Sequence, residues 1–306
     1  MLSPAGLRLR SDLLQAIRLF FLKRGYIEVD TPLRLPALIP ESHLIPFASE
    51  GAFLHTSPEL CMKRLLANGC DRIFQICHCF RKEERGRLHQ AEFTMLEWYH
   101  KGWDYFDLMR QCEELIVQVA QSLPSCAGLV EGNGLRWGDA LVKLAPPWER
   151  LTVAEAFQRY ADVAVTKAVR TGSFDEILVT EVEPNLGVDR PVFLYDYPAE
   201  QGASLARRKR ENPAVAERFE LYIAGVELAN GFSELVDPLE QRQRFQREIE
   251  NVHRAGRTAE MPEKLLAELS QVGETAGIAL GVDRLCMLLM GHTDIAQTVP
   301  LFFEEL

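Results

Sequence analysis

Apolar residues recur at helical spacing between Ser11 and Arg24, where Leu13, Leu14, Ile17, Phe20 and Phe21 share one side. Ser11 is the expected N-cap and Gly25 the expected stop. Tyr26 to Thr31 then reads as a short extended segment ended by Pro32. Ser57 predicts the start of a helix from Pro58 to about Asn68, with Gly69 behind it. From Ile73 to Phe80 the chain is an apolar strand, followed by a loop holding Arg81, Glu83, Arg85, Arg87 and His89. A return strand runs from Glu92 to Tyr99, and Phe93, Met95, Glu97 and Tyr99 alternate onto one of its faces.

Beyond it, Tyr105 to Ser122 has a helical period. Residues 123–190 are less regular, with helical stretches at Thr152–Tyr160 and Ser173–Val182, and read as an inserted helical region packed beside the sheet. Arg218–Ala224 and Val226–Leu235 predict a hairpin turning at Ala224-Gly225. Helices are expected at Glu240–Arg254 and Pro262–Ser270, then a strand at Ile278–Gly281 and a helix at Val282–Met290. The sum is an α+β chain, one domain over residues 1–306, with antiparallel strands flanked by helices.

Composition narrows the setting. No apolar run reaches the roughly 20 residues of a membrane span, and the N-terminus lacks a signal-peptide pattern. Seven scattered cysteines fit reduced thiols, so a cytoplasmic enzyme is expected. A net charge of −10, from 44 acidic and 34 basic residues, is poorly suited to gripping a polyanion such as tRNA and favours a basic protein acceptor.

Two segments carry candidate chemistry. The loop after Phe80 sets several guanidinium groups over one sheet edge, where their planar forks can grip phosphate oxygens. Gly277-Ile-Ala279-Leu-Gly281-Val-Asp283-Arg284 adds another arginine behind small residues. Arginines from distant segments with acidic residues between them suggest a nucleoside triphosphate held with magnesium.

These residues resemble a known family. Phe80-Arg81-x-Glu83, the loop, and Glu92-Phe93-Thr94-Met95-Leu96-Glu97-Trp98-Tyr99 look like motif 2 of class II aminoacyl-tRNA synthetases. Gly277-x-Ala279-x-Gly281-x-Asp283-Arg284 looks like motif 3, and Arg24-Gly25-Tyr26-Ile27-Glu28-Val29-Asp30-Thr31-Pro32 like motif 1. Thr56-Ser57-Pro58-Glu59, Met62-Lys63-Arg64-Leu65-Leu66 and Glu227-Leu-Ala-Asn230-Gly-Phe232-Ser-Glu234-Leu resemble the lysine-specific branch. Motif 1 falls within the first 30 residues, so no N-terminal OB anticodon-binding domain is expected. That arrangement resembles the stand-alone ligases that attach (R)-β-lysine to a lysine of translation elongation factor P.

The resemblance implies ATP-dependent activation of lysine or β-lysine as an adenylate, then transfer to elongation factor P, by a homodimer. It implies Arg81 at the substrate carboxylate and α-phosphate, Arg284 at the far phosphate and adenine, and Phe93 stacked on the adenine. Glu83 would accept from the adenine amino group and His89 reach the outer phosphates, with Lys82, Gln90, Leu228 and Gly281 completing the ATP contacts. Glu220 and Glu227 would hold Mg2+. Ser57, Pro58, Glu59, Glu97, Tyr99, Asn230, Phe232, Glu234 and Ala279 would form the amino-acid pocket, whose carboxylates partner the ligand's ammonium groups. Lys82, Gln90-Ala91 and Ser233 depart from the pattern and leave the substrate and acceptor open. Transfer to RNA or a small acceptor, and a non-catalytic amino-acid sensor, are the alternatives.

Two features have plainer readings. Strand alternation sends Cys77 and Cys79 to one face and His78 to the other, and no second pair stands at zinc-site spacing. Arg207-Arg208-Lys209-Arg210 is either a solvated basic face or a contact for an acidic partner.

Overall fold

The computed structural model describes residues 2–123, 128–130, 134–138, 140–201 and 204–302. Its centre is an eight-stranded sheet. From one edge the strands are Ile27–Glu28, Arg72–Phe80, Glu92–Lys101, Thr275–Gly281, Val226–Ser233, Val215–Ile223, Val192–Pro198 and Glu149–Thr152. The two outermost pairings are parallel and the rest antiparallel. Strands remote in sequence therefore meet at the middle, where Thr275–Gly281 lies between Glu92–Lys101 and Val226–Ser233.

Helices cover the sheet by burying one stripe each. Tyr105–Ser122 sinks Leu108, Cys112, Leu115 and Val119, and Asp104 opens it by accepting from the backbone N–H groups of Phe106 and Asp107. Val282–Met290 is buried almost all round and ends at Gly291, whose φ of 72° suits a residue without a Cβ. The hairpin turns at Ala224 and Gly225, with φ of 54° and 73°, in agreement with the sequence expectation.

Two expectations need correction. The first helix is Pro4–Leu22, capped by Ser3 rather than Ser11: the Ser3 Oγ accepts from the Gly6 N–H at 3.2 Å, and Pro4 supplies a first helical residue with φ already set. Arg10 is thereby helical and buried, 2.7 Å from Asp283. Its polarity disguised a core position, because a buried ion pair replaces an apolar residue there.

The stretch 123–190 is mixed rather than helical. Leu129–Val130, Gly134–Trp137 and Ala140–Lys143 form a small antiparallel sheet, and Glu149–Thr152 is the far edge of the central one. Positions 124–127, 131–133 and 139 lie outside the described residues. Short helices at Val153–Tyr160, Val165–Thr171 and Phe174–Ile177 enclose a second core around Phe157, Phe174, Val182 and Leu194. Apolar runs of three or four residues carry no decisive period, so strand and helix look alike there.

Candidate active site

The face of the central sheet opposite the long helix opens into a cavity of about 360 Å³. Its lining comes from six segments that the sequence separates, with Ile295 beside the last: 41–44, 57–59, the strand pair and loop at 81–99, 204–206, the hairpin at 218–232, and 277–284. Register explains the convergence. Ala279 stands opposite Glu97 on one side and Asn230 on the other, so three neighbouring strands present these side chains in one row.

One end of the cavity is acidic. Glu97 is buried and accepts from the Tyr99 hydroxyl at 2.6 Å and the Ser57 hydroxyl at 2.7 Å. Burial, then the charge of Glu59, pushes its carboxyl well above the usual carboxylate range. The Lys63 ammonium lies 2.5 Å from Glu59 Oε1 and 2.6 Å from Glu234 Oε2. Burial pulls that ammonium down, but the charges of Glu234 and Glu59 outweigh it and raise it. Glu234 is pushed up to about 8 by burial, against the opposing pull of Lys63. Its Oε1 is buried without a hydrogen-bond partner. That oxygen is a free acceptor for an incoming ammonium group.

Gly277 makes room for this arrangement. A Cβ there would stand 2.3 Å from the Tyr99 ring and 2.5 Å from Glu234 Oε1. The tight position in this motif is thus Gly277, whereas Ala279 carries its methyl into the cavity wall.

The other end is basic. The Arg81 guanidinium lies 5.1 Å from the Phe93 ring centroid and 3.5 Å from Glu84. Arg284 donates to the Glu227 carbonyl at 2.6 Å, to the Leu88 carbonyl at 3.2 Å and to His89 Nε2 at 2.6 Å. Because a guanidinium only donates, His89 Nε2 is the acceptor. Burial, and then Arg284, lowers the pKa of His89. Asp283 anchors this end: it accepts from the Thr94 N–H at 2.7 Å and pairs with Arg10, which also donates to Thr94 Oγ1.

Glu220 and Glu227 both face the cavity. Glu220 accepts from Tyr197 at 2.6 Å and Tyr222 at 2.7 Å and pairs with Arg218 at 2.5 Å. Glu227 is more open, its side chain 40% exposed, with Arg284 at 3.3 Å. Hard carboxylate oxygens suit magnesium. Glu227 fits as the accessible ligand, and Glu220 fits once Arg218 gives way.

Most of the expected site residues come together. Ser57, Glu59, Arg81, His89, Gln90, Phe93, Glu97, Tyr99, Glu220, Glu227, Leu228, Asn230, Phe232, Ala279, Gly281 and Arg284 line one cavity. Glu234 stands behind that lining, its Oε1 against Gly277 and its Oε2 on Lys63. Pro58 does not line it and instead forms the cap of the helix Glu59–Ala67. Lys82 and Glu83 are exposed and stand outside the lining, whereas Glu84 is within it. The physical reason is local: Glu83 has φ 74°, which swings the loop so that its neighbour points inward.

Sequence reasoning missed Lys63, Arg218 and Glu41. Lys63 sat inside a quoted motif and carried a signal, since a lysine four residues after Glu59 shares its helix face. Arg218 shares a strand face with Glu220, which gave a weaker signal. Glu41 gave none. Its carboxyl, in a segment without regular structure, is pushed up to about 7 by burial and then by Glu59.

The basic run is also resolved. Arg207 pairs with Glu217 at 2.7 Å, Arg208 with Glu240 at 3.4 Å, Lys209 with Asp196 at 2.5 Å and Arg210 with Glu274 at 3.0 Å. Each of the four charges has a carboxylate of the chain itself as partner, and the pairs of Arg208 and Arg210 are exposed, so both readings of this run stand.

Comparison with known proteins matches residues 3–303 to the model of class II tRNA synthetases of the D, K and N type. The chain is 40% identical to a curated elongation factor P–(R)-β-lysine ligase of Salmonella gallinarum (strain 287/91 / NCTC 13346). That alignment spans 310 positions and covers 97% of this chain and 94% of the relative.

Proposed function

The chain belongs to the class II tRNA synthetases of the D, K and N type, and from that premise we propose that it activates (R)-β-lysine or lysine with ATP and transfers it to a lysine side chain of elongation factor P. The observation that carries the reading is a single cavity with buried carboxylates at one end and paired arginines at the other. Glu234, Glu59 and Glu97 suit the ammonium groups of a diamino acid. Arg81 and Arg284 suit a triphosphate. The ligase from Salmonella named above, aligned across nearly the full length, points to elongation factor P as the acceptor.

The chemistry needs no general base for its first step. The substrate carboxylate, already ionised, attacks the α-phosphorus of ATP, and pyrophosphate departs. Arg81 steadies the charge that accumulates on the reacting phosphate, and Arg284 orients the departing end. Glu227 and Glu220 would hold magnesium, which would supply positive charge against the phosphates. In the second step the acceptor amine attacks the acyl carbon, an amide forms, and AMP leaves.

A homodimer is part of the proposal. Leu7, Leu19 and Leu22 of the first helix and Ile27 of the edge strand are exposed large apolar residues on adjoining elements. Such a cluster calls for a partner surface. No described helix is long and apolar enough to cross a membrane.

The deciding experiment is intact-mass analysis of elongation factor P after incubation with enzyme, ATP, magnesium and each lysine isomer. Addition of one lysyl mass supports the proposal, and the preferred isomer identifies the substrate. Efficient charging of tRNA with the mass of elongation factor P unchanged would replace this reading with an RNA acceptor.

A further inference from the structure

Beside the acidic end of the cavity lies a group of side chains that the activation chemistry does not use. Cys77 and Cys79 share one face of the strand Arg72–Phe80, with their Sγ atoms 4.0 Å apart. His55, fully buried, comes from a segment more than twenty residues earlier and places its Nε2 3.9 Å from each sulfur. The segment is pinned there by a backbone bond from the Phe80 N–H to the His55 carbonyl. His78, the neighbour in sequence, points away and pairs with Glu92. The missing third ligand of the Cys-x-Cys pair is therefore His55, which linear spacing could not reveal.

We propose that His55, Cys77 and Cys79 bind one thiophilic d10 cation, Zn2+ or Cu+, next to the substrate cavity. Metal–sulfur bonds of about 2.3 Å and metal–nitrogen bonds of about 2.0–2.1 Å put tetrahedral ligands about 3.8 Å (S to S) and about 3.6 Å (S to N) apart. The observed separations of 4.0, 3.9 and 3.9 Å need contraction of only a few tenths of an ångström. Thiolate and imidazole are the ligands these two ions select.

A further observation agrees. His55 Nδ1 and both polar atoms of the Gln75 amide are buried without partners, so the group is unfinished as a hydrogen-bond network. The His55 Nε2 is also 2.7 Å from the His78 carbonyl, a bond that ligation exchanges for the metal. The Cys79 proton leaves on binding, so affinity rises with pH. A fourth position falls to water or to Met95, whose Sδ is 3.9 Å from Cys79 Sγ. Thioether ligation favours Cu+ and water favours Zn2+.

The test uses the reduced, chelator-stripped full chain, titrated with Zn2+ and separately with Cu+ against chromophoric competitors. One equivalent of either ion is expected, with Met95→Leu weakening Cu+ alone. Cys79→Ser and His55→Ala should each weaken binding by more than the roughly 10–100-fold typical of disturbing a mere outer-shell partner. Co2+ substitution gives an independent readout on the unaltered chain: thiolate-to-cobalt charge-transfer absorption is expected, and it requires no variant to fold. Binding of neither ion, cobalt binding without the charge-transfer band, or folded variants that bind as tightly as the parent would each overturn the site. These readouts do not involve ATP or an acceptor, so the outcome is separate from that of the proposed ligase activity.

Discussion

At the scale of single residues, buried charge is counted pair by pair. Lys63 balances Glu59 and Glu234 without satisfying Glu234 Oε1. Replacing Lys63 with Met leaves two buried carboxylates with no cation, and breaking a buried pair costs roughly 3–5 kcal/mol. Lys63→Met should lower the urea midpoint accordingly; an unchanged midpoint would mean that the carboxylates are neutral in the native protein. Glu234→Gln should act on the ligand instead. Loss of a desolvated charge partner costs roughly 2–5 kcal/mol, so KM for the amino acid should rise steeply while KM for ATP barely changes. His89 supplies the pH dependence. Its folded pKa is lowered, so the contact with Arg284 is intact above the unfolded value of about 6.5 and is lost as pH falls through the folded value. Pyrophosphate exchange should therefore decline on the acid side. His89→Gln, which keeps an acceptor but cannot titrate, should flatten that limb in a pH–rate profile.

At the scale of elements, the return strand and its two neighbours act as one surface. Gly277 is fixed in the middle strand by pairing with Tyr99 on one side and Phe232 on the other. The strand cannot retreat from an added methyl. Gly277→Ala should destabilise by about 1–3 kcal/mol, as overpacked cores do, and raise KM for the amino acid through displaced Tyr99 and Glu234. Thermal melting and steady-state kinetics, measured together, check both effects. The loop between the motif 2 strands is held differently. Arg284 grips it through Leu88 and His89, whereas Glu83 sits outside at a positive φ. Its sequence was legible as a basic loop, but which of two adjacent glutamates turns inward depends on one backbone dihedral. Arg207–Arg210 illustrates the opposite case. Four consecutive basic residues looked like a patch, yet their partners arrive from four different places in the chain.

At the scale of the whole molecule, the exposed apolar residues of the first helix and edge strand set the expectation for assembly. An obligate homodimer of this kind buries on the order of 2,000 Å² or more. Sedimentation should give a dimer at micromolar concentration, and Leu19→Glu with Leu22→Glu should shift it towards monomer. A monomeric parent protein would contradict the proposal. In such a dimer the sheet would link the interface to the site, because the edge strand Ile27–Glu28 pairs directly with Arg72–Phe80, the strand leading into Arg81.

The sequence by itself determined the α+β class, the motif strands and most of the residues that meet in the cavity. It could do so because these features depend on local period, turn chemistry and ordered short motifs. Strand alternation alone put Phe93, Met95, Glu97 and Tyr99 on one face. Only the tertiary structure decided the partners of charge and of sulfur. Lys63 between two carboxylates, Arg10 against Asp283, Glu41 within the cavity and His55 beside two cysteines all join residues from separate elements or turns. Coulombic and ligating contacts depend on distance in space, and a sheet whose middle strand comes from the end of the chain makes that distance unreadable along the sequence.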